Sequence, residues 1–247
     1  MIIDFHAHLH LWGTPAEPER LVGEARRYGI AKVGVSAIGS SVPSRRELQV
    51  LNEKTFGAAE RWPDVILPFV YVNPMHGPDA VAMVEEGHAR GAVGVKLWVA
   101  VRANQRCVWP VAQRCIELGL PVLQHAWHKY NGNLPYESDP LDVAELGRTF
   151  PELTIVMAHL GGSWEWGVKA VRDVPNVLGD TSGTRIEAGQ IEYAVAQLGV
   201  ERVIYGSDAL PCDYLLTIAK IEAAAVAEED KHAILGGNAA RVLGLAG

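Results

Sequence analysis

Short apolar segments alternate with longer amphipathic segments from one end of the chain to the other. Eight of the apolar segments are rich in β-branched residues, as strands are. They cover residues 2–8, 32–38, 65–72, 92–99, 121–127, 154–160, 176–182 and 202–208. The segments between them have helical periodicity, and several end in a glycine suited to a left-handed C-cap: PERLVGEARRYG, WPVAQRCIELG and IEYAVAQLG.

The alternation has a period of about 30 residues, which is typical of parallel strands joined by right-handed helical crossovers. Eight such units predict an α/β fold, a single (β/α)8 TIM barrel, and the length of 247 residues is usual for it. No Pro- or Ser-rich linker and no low-complexity tract divides the sequence. We therefore expect one domain over residues 1–247.

Composition narrows the class of partner. The net charge is -7, from 22 basic and 29 acidic residues, and nucleic-acid binding depends on Lys and Arg at phosphates. The longest apolar runs fall short of the roughly 20 residues that a membrane span needs. The three cysteines show no CxxC spacing. We expect a cytoplasmic protein with a small-molecule substrate, no nucleic acid and no membrane partner, and a homo-oligomer is left open.

Metal-compatible and basic side chains stand at the ends of the predicted strands. His6 and His8 lie two apart on strand 1, so both project from one face. The others are Lys96 on strand 4, His125 on strand 5, His159 on strand 6 and Asp208 on strand 8. In a barrel these ends meet at one mouth. One such residue alone is more often a hydrogen-bonding group or a helix cap, but the joint pattern predicts a divalent-metal site.

Other residues near these ends are candidates for substrate binding. Trp98 and Trp127 follow Lys96 and His125 by two positions and are expected to wall an aromatic pocket, with packing of the barrel rim as the alternative. The remaining candidates follow strands 4, 5 and 7: His128, Arg185, Arg102 and Lys129. Segment 128–140 is long enough to form a lid, or an ordinary surface loop. Surface positions are expected for His10, His76, His88 and His232.

Five motifs carry a resemblance to a known family: DFHAH, GVKLW, QHAW, AHLGG and YGSDALP, on predicted strands 1, 4, 5, 6 and 8. They resemble the amidohydrolase superfamily of metal-dependent hydrolases. The closing ILGGNAARVLGL is similar to the C-terminal helix of the amidohydrolase-related, or amidohydrolase 2, branch, which includes aminocarboxymuconate-semialdehyde decarboxylase.

The resemblance implies roles for the strand-end residues. His6, His8 and Asp208 would hold one divalent ion, and His125 would bind this ion or a second. His159 would be a ligand of the second metal or a base that orients the attacking water. Lys96 matches a lysine that is carbamylated and bridges two ions in binuclear members, and stays free in mononuclear ones. One or two ions per chain are expected, with zinc first.

The function implied is a hydrolase in which a metal-activated water attacks an amide, lactone or ester-like bond of a small, aromatic or cyclic substrate. Asp208 would pass the proton from water to the leaving group, and His159 or His125 would stabilise the oxyanion. The alternative is a metal-dependent decarboxylase of the same branch. A TatD-like nuclease and a non-catalytic binding barrel are more distant, because TatD proteins carry a glutamate where this chain has Lys96.

Overall fold

The computed structural model describes residues 1–183 and 186–245. Eight parallel strands follow one another around a single sheet in the order of the sequence. They are β1 (Ile2–His10), β2 (Ile30–Ile38), β3 (Ile66–Tyr71), β4 (Gly94–Leu97), β5 (Val122–Gln124), β6 (Ile155–Met157), β7 (Val177–Asp180) and β8 (Val203–Ile204). The chain after β8 returns to β1, where Asp208 N–H donates to the His6 carbonyl at 2.7 Å and closes the sheet. The predicted (β/α)8 barrel is confirmed.

Helices cover the outside of the barrel. They are α1 (Glu17–Arg27), α2 (Arg45–Arg61), α3 (Pro78–Ala89), α4 (Trp109–Leu118), α5 (Pro140–Thr149), α6 (Trp164–Val171), α7 (Gln190–Leu198), α8 (Tyr214–Glu222), α9 (Glu228–His232) and α10 (Asn238–Val242). Gly119 caps α4 in the left-handed conformation, as its place in the sequence predicts. No helix in the described part of the chain is long and apolar enough to cross a membrane.

The apolar side chains form two clusters. The larger lies between strands and helices, and the smaller fills the barrel interior with Ile3, Phe5, Phe69, Ile204 and their neighbours. Ala239 and other residues of the C-terminal segment pack on the smaller cluster and close the amino end of the barrel. Because side chains fill the amino end of the barrel, the carboxyl end is the one at which a site can form.

A register shift in β1 decides where its histidines point. Ile3 and Phe5 belong to the interior cluster, whereas Ala7 and Leu9 belong to the outer one. Strict alternation would place His6 outside, opposite to Phe5. The pairing with β2 shifts between Asp4 and Ala7, and this irregularity turns His6 into the interior together with Phe5.

Several strands are shorter than the sequence pattern predicts. His125, His159 and Asp208 lie just beyond β5, β6 and β8, whereas His6 and His8 lie within β1, which extends to His10. His159 sits in a short helical turn, Ala158–Gly161, with a positive φ of 60°. Pairing ends early because these residues leave the sheet to direct polar side chains into the mouth.

Candidate metal centre

Two histidines and a carboxylate converge at the carboxyl end of the barrel. His6 Nε2 and His8 Nε2 are 2.9 Å apart, and Asp208 Oδ1 lies 3.9 Å from His6 Nε2 and 3.6 Å from His8 Nε2. Burial lowers the pKa of both imidazoles well below its usual value, so both rings are neutral at neutral pH. Neutral imidazoles beside a carboxylate are suitable ligands for a divalent ion.

Hydrogen bonds fix which nitrogen of each imidazole carries the proton. His6 Nδ1 lies 2.8 Å from Asp180 Oδ2, and His8 Nδ1 lies 3.0 Å from the Ser36 carbonyl. Since an ionised carboxylate and a carbonyl only accept, both Nδ1 atoms donate, and both Nε2 atoms keep a lone pair. Two lone pairs that face each other at 2.9 Å repel unless a positive charge lies beside them. The Lys96 ammonium, 2.8 Å from His6 Nε2, supplies one such charge, and a divalent ion held by both imidazoles and Asp208 would supply another, so this donor set fits a metal.

Lys96 occupies the centre of the mouth. Its side chain is fully buried, and Nζ lies 2.8 Å from His6 Nε2. Burial lowers the pKa of Lys96, and the charges of Asp208 and Asp180 oppose this shift only in part. The Lys96 amine therefore loses its proton more readily than an exposed lysine does, but with a pKa of about 8 it is still mainly charged at neutral pH and can pair with an anion.

His125 and His159 form a second pair of imidazoles next to the first. His125 Nδ1 lies 3.3 Å from His159 Nε2, and the rings of His6 and His159 are 5.2 Å apart. Burial lowers the pKa of both His125 and His159. Among the described residues, His159 forms a second group of potential ligands with His6 and Asp180, beside the group of His6, His8 and Asp208, whereas His125 belongs to neither. Their part in metal binding stays a prediction.

Trp127 forms one wall of the mouth. Its ring lies 5.0 Å from that of His159 and stacks on His125 at 6.3 Å. Trp98 is half-buried against the main core, and within residues 1–183 and 186–245 no ring contact joins it to the site. Strand alternation relates neither tryptophan to its predicted ligand, because Trp98 lies beyond β4 and Trp127 lies beyond β5.

The other predicted substrate residues are spread around the rim. His128 Nδ1 is bonded to Asp139 at 2.6 Å, Lys129 contacts Glu137, and Arg102 is exposed. Arg185 lies outside the described residues. Of the histidines expected at the surface, His88 and His232 are exposed, whereas His10 and His76 are partly buried. His10 Nδ1 lies 2.8 Å from Glu17.

The sequence analysis missed two buried carboxylates that contact the candidate ligands. Asp180 is the last residue of β7, at the same end of the barrel as Asp208, so the search of strand ends that selected Asp208 would have found it. Its Oδ1 accepts the N–H groups of His159 and Ser182, both at 2.9 Å. Glu137 gives no local signal, because it lies twelve positions after His125 in a loop.

The geometry defines a class: an α/β barrel with a candidate divalent-metal centre at the carboxyl ends of its strands. A family model described as Amidohydrolase matches residues 3–245. The chain belongs to the amidohydrolase family, and the resemblance seen in its motifs is confirmed. Among curated proteins, no relative matches the sequence.

Solved structures share this fold along nearly their whole length. The 2,6-dihydroxybenzoate decarboxylase from Rhizobium has a TM-score of 0.79 at 16% identity, covering 100% of this chain and 99% of that chain. The 5-carboxyvanillate decarboxylase from Sphingomonas paucimobilis has 0.79 at 16%, covering 99% of each. A dihydroxybenzoic acid decarboxylase from Polaromonas sp. with bound manganese has 0.78 at 17%, covering 99% and 97%. At such identities the likeness establishes the fold alone.

Proposed function

We propose that this protein is a metal-dependent decarboxylase acting on a small aromatic acid. The observation that carries the proposal is the pair of facing His6 and His8 lone pairs beside Asp208, in a mouth walled by Trp127. The decarboxylases of similar fold, one with manganese bound, support the same reaction class. Zinc is not favoured over manganese by this ligand set, since N and O donors accept both.

Each residue of the site would have its own role in this decarboxylation. A divalent ion held by His6, His8 and Asp208 would supply Lewis acidity toward the substrate oxygens. Trp127 would stack on the planar ring, and Lys96 would pair with the carboxylate that departs. Asp208, whose pKa is raised by burial, would take up a proton and deliver it to the ring carbon that carries this carboxylate, with the neutral imidazole of His159 as a hydrogen-bonding partner of the substrate. The carbon–carbon bond then breaks, its electron pair returns to the ring, and carbon dioxide leaves.

A second candidate function is hydrolysis of an amide, lactone or ester-like bond. The specific observation in its favour is Lys96, which lies 2.8 Å from His6 Nε2 at the end of β4, the place of the carbamylated lysine in binuclear relatives of the superfamily. In this reaction Asp208 would accept the proton of the attacking water and give it to the leaving group.

Isotope labelling separates the two reactions. The manganese-loaded protein is incubated in H2(18)O with hydroxylated benzoic acids and with aromatic lactones and amides, and the products are analysed by mass spectrometry. Carbon dioxide release without 18O in the organic product supports decarboxylation. An organic product that carries 18O, formed without carbon dioxide, supports hydrolysis. Asp208→Asn should abolish turnover, whereas Asp173→Asn, at an exposed position, should not. Turnover retained by Asp208→Asn would contradict both mechanisms.

A further inference from the structure

Glu137 is a buried carboxylate at the base of the segment between β5 and α5. Its side chain is 2% exposed, and three donors surround it. Lys129 Nζ contacts its two oxygens at 2.8 and 2.6 Å, and the Leu134 N–H donates at 3.0 Å. His125 Nε2 lies 2.9 Å from Oε1. Because a positive charge and a backbone donor offset the cost of burial, Glu137 stays ionised and accepts from His125.

We propose that Glu137 is a positioning residue that holds the proton of His125 on Nε2, so that the Nδ1 lone pair faces the candidate metal centre. The neutral imidazole has one N–H proton, and the hydrogen bond to the Glu137 carboxylate holds this proton on Nε2. Nδ1 is then an acceptor, 3.3 Å from His159 Nε2. A carboxylate that orients a ligating histidine in this way also makes the imidazole more basic toward a metal. That this lone pair binds the metal ion rests on the function proposed above, with His125 added to His6, His8 and Asp208 as a ligand.

The segment that carries Glu137 is fixed at its base. Ser138 is fully buried; its Oγ accepts from the Ala103 N–H at 3.0 Å, and its carbonyl accepts from the Trp127 N–H at 2.9 Å. The tip is open to solvent, with Tyr130 83% exposed and Tyr136 52% exposed. Ser138 therefore holds Glu137 at the base of the segment, next to β5, while two donors to Glu137, Lys129 and Leu134, belong to the segment itself.

A purely structural role is the competing explanation, in which the pair of Glu137 and Lys129 only anchors the loop. The two explanations differ in the tautomer of His125, which a structural anchor would not set. Long-range 1H–15N correlation of the metal-free, 15N-histidine-labelled protein reports the tautomer directly, and His125→Gln identifies the signal. We expect the Nε2–H form in the wild type and loss of that preference in Glu137→Met. A wild-type His125 in the Nδ1–H form overturns the proposal.

Metal affinity provides an independent test. The dissociation constant for Mn2+ is obtained from the electron paramagnetic resonance signal of the free ion. We expect binding about 10- to 100-fold weaker in Glu137→Met and a smaller loss in Glu137→Gln, which keeps a carbonyl acceptor and covers the case in which the Met variant does not fold. Glu145→Gln, on the exposed face of α5, is the matched control and should bind as the wild type does.

The outcomes separate this inference from the proposed function. Equal Mn2+ affinity in both Glu137 variants and the wild type overturns the positioning role. A wild type that binds no divalent ion overturns the proposed function, while the tautomer measurement on the metal-free protein still decides whether Glu137 directs the His125 proton.

Discussion

Replacing Asp180 by Asn tests whether an outer carboxylate sets the proton of a metal-binding histidine. Asp180 is fully buried, and its two oxygens have different partners. Oδ1 accepts the N–H groups of His159 and Ser182 and the Ser182 hydroxyl, whereas Oδ2 faces His6 Nδ1 at 2.8 Å. An Asn whose carbonyl stays at the Oδ1 position keeps its three donors and presents an amino group to His6 alone.

The amino group cannot accept the His6 Nδ1 proton, so the proton is expected to move to Nε2. There it can donate to His8 Nε2, 2.9 Å away, in place of the contact that Nε2 makes with Lys96 Nζ at 2.8 Å. This exchange of one hydrogen bond for another limits the change in the free energy of unfolding of the metal-free protein to about 1 kcal/mol. The same proton occupies the His6 Nε2 lone pair that a metal ion would need. We therefore expect Asp180→Asn to weaken metal binding more than it destabilises the metal-free protein.

Loss of an outer partner of a ligating histidine weakens metal binding by about 10- to 100-fold. Ser182 Oγ lies 3.0 Å from His6 Nδ1 and can keep part of the original bond, which favours the lower end, or about 1.4 kcal/mol. Titration of Mn2+ against the wild type, Asp180→Asn and the exposed control Asp173→Asn measures the effect. Unchanged affinity in Asp180→Asn, with the fold intact by circular dichroism, would refute the assignment of the His6 tautomer.

Three further predictions concern Lys96, Glu17 and the contact between Gly162 and Trp127. Metal analysis of Lys96→Met should find one ion per chain, as in the wild type; a fall from two ions to one would favour a lysine-bridged hydrolase. Burial raises the pKa of Glu17, but the donors around it outweigh this and lower it, so its stabilisation is present above pH 4.5 and is lost on acidification. Glu17→Gln should lower the free energy of unfolding at pH 7 by about 1 to 3 kcal/mol and flatten its acid dependence in urea titrations from pH 7 to 3; an unchanged slope would contradict this. In Gly162→Ala the new Cβ would lie 2.3 Å from the Trp127 ring, which should destabilise the fold by about 1 to 3 kcal/mol and weaken calorimetric binding of aromatic acids, whereas Gly132→Ala, with positive φ and open space, should leave binding unchanged.

The barrel could be predicted because the strands and helices have local signatures in the sequence, namely apolar runs and glycine caps. The ends of the strands could not be placed, because residues such as His159 leave the sheet to form hydrogen bonds with residues of other strands. Its backbone N–H is taken by Asp180 of the next strand, and nothing in the segment 154–160 encodes that bond. Asp180 itself was within reach of sequence reasoning, since it lies near the end of predicted strand 7, residues 176–182.

The sequence by itself determined the number and order of strands, the family, and the group of side chains brought to one rim, because these follow from periodicity and from the shared direction of parallel strands. Only the tertiary structure decided how those side chains present their lone pairs. The register shift between Asp4 and Ala7 turns His6 inward beside Phe5. The carboxylates of Asp180 and Glu137 determine which ring nitrogen carries the proton in His6 and in His125, respectively. Hydrogen bonds between residues far apart in the chain form only after the barrel closes, so no local pattern records them.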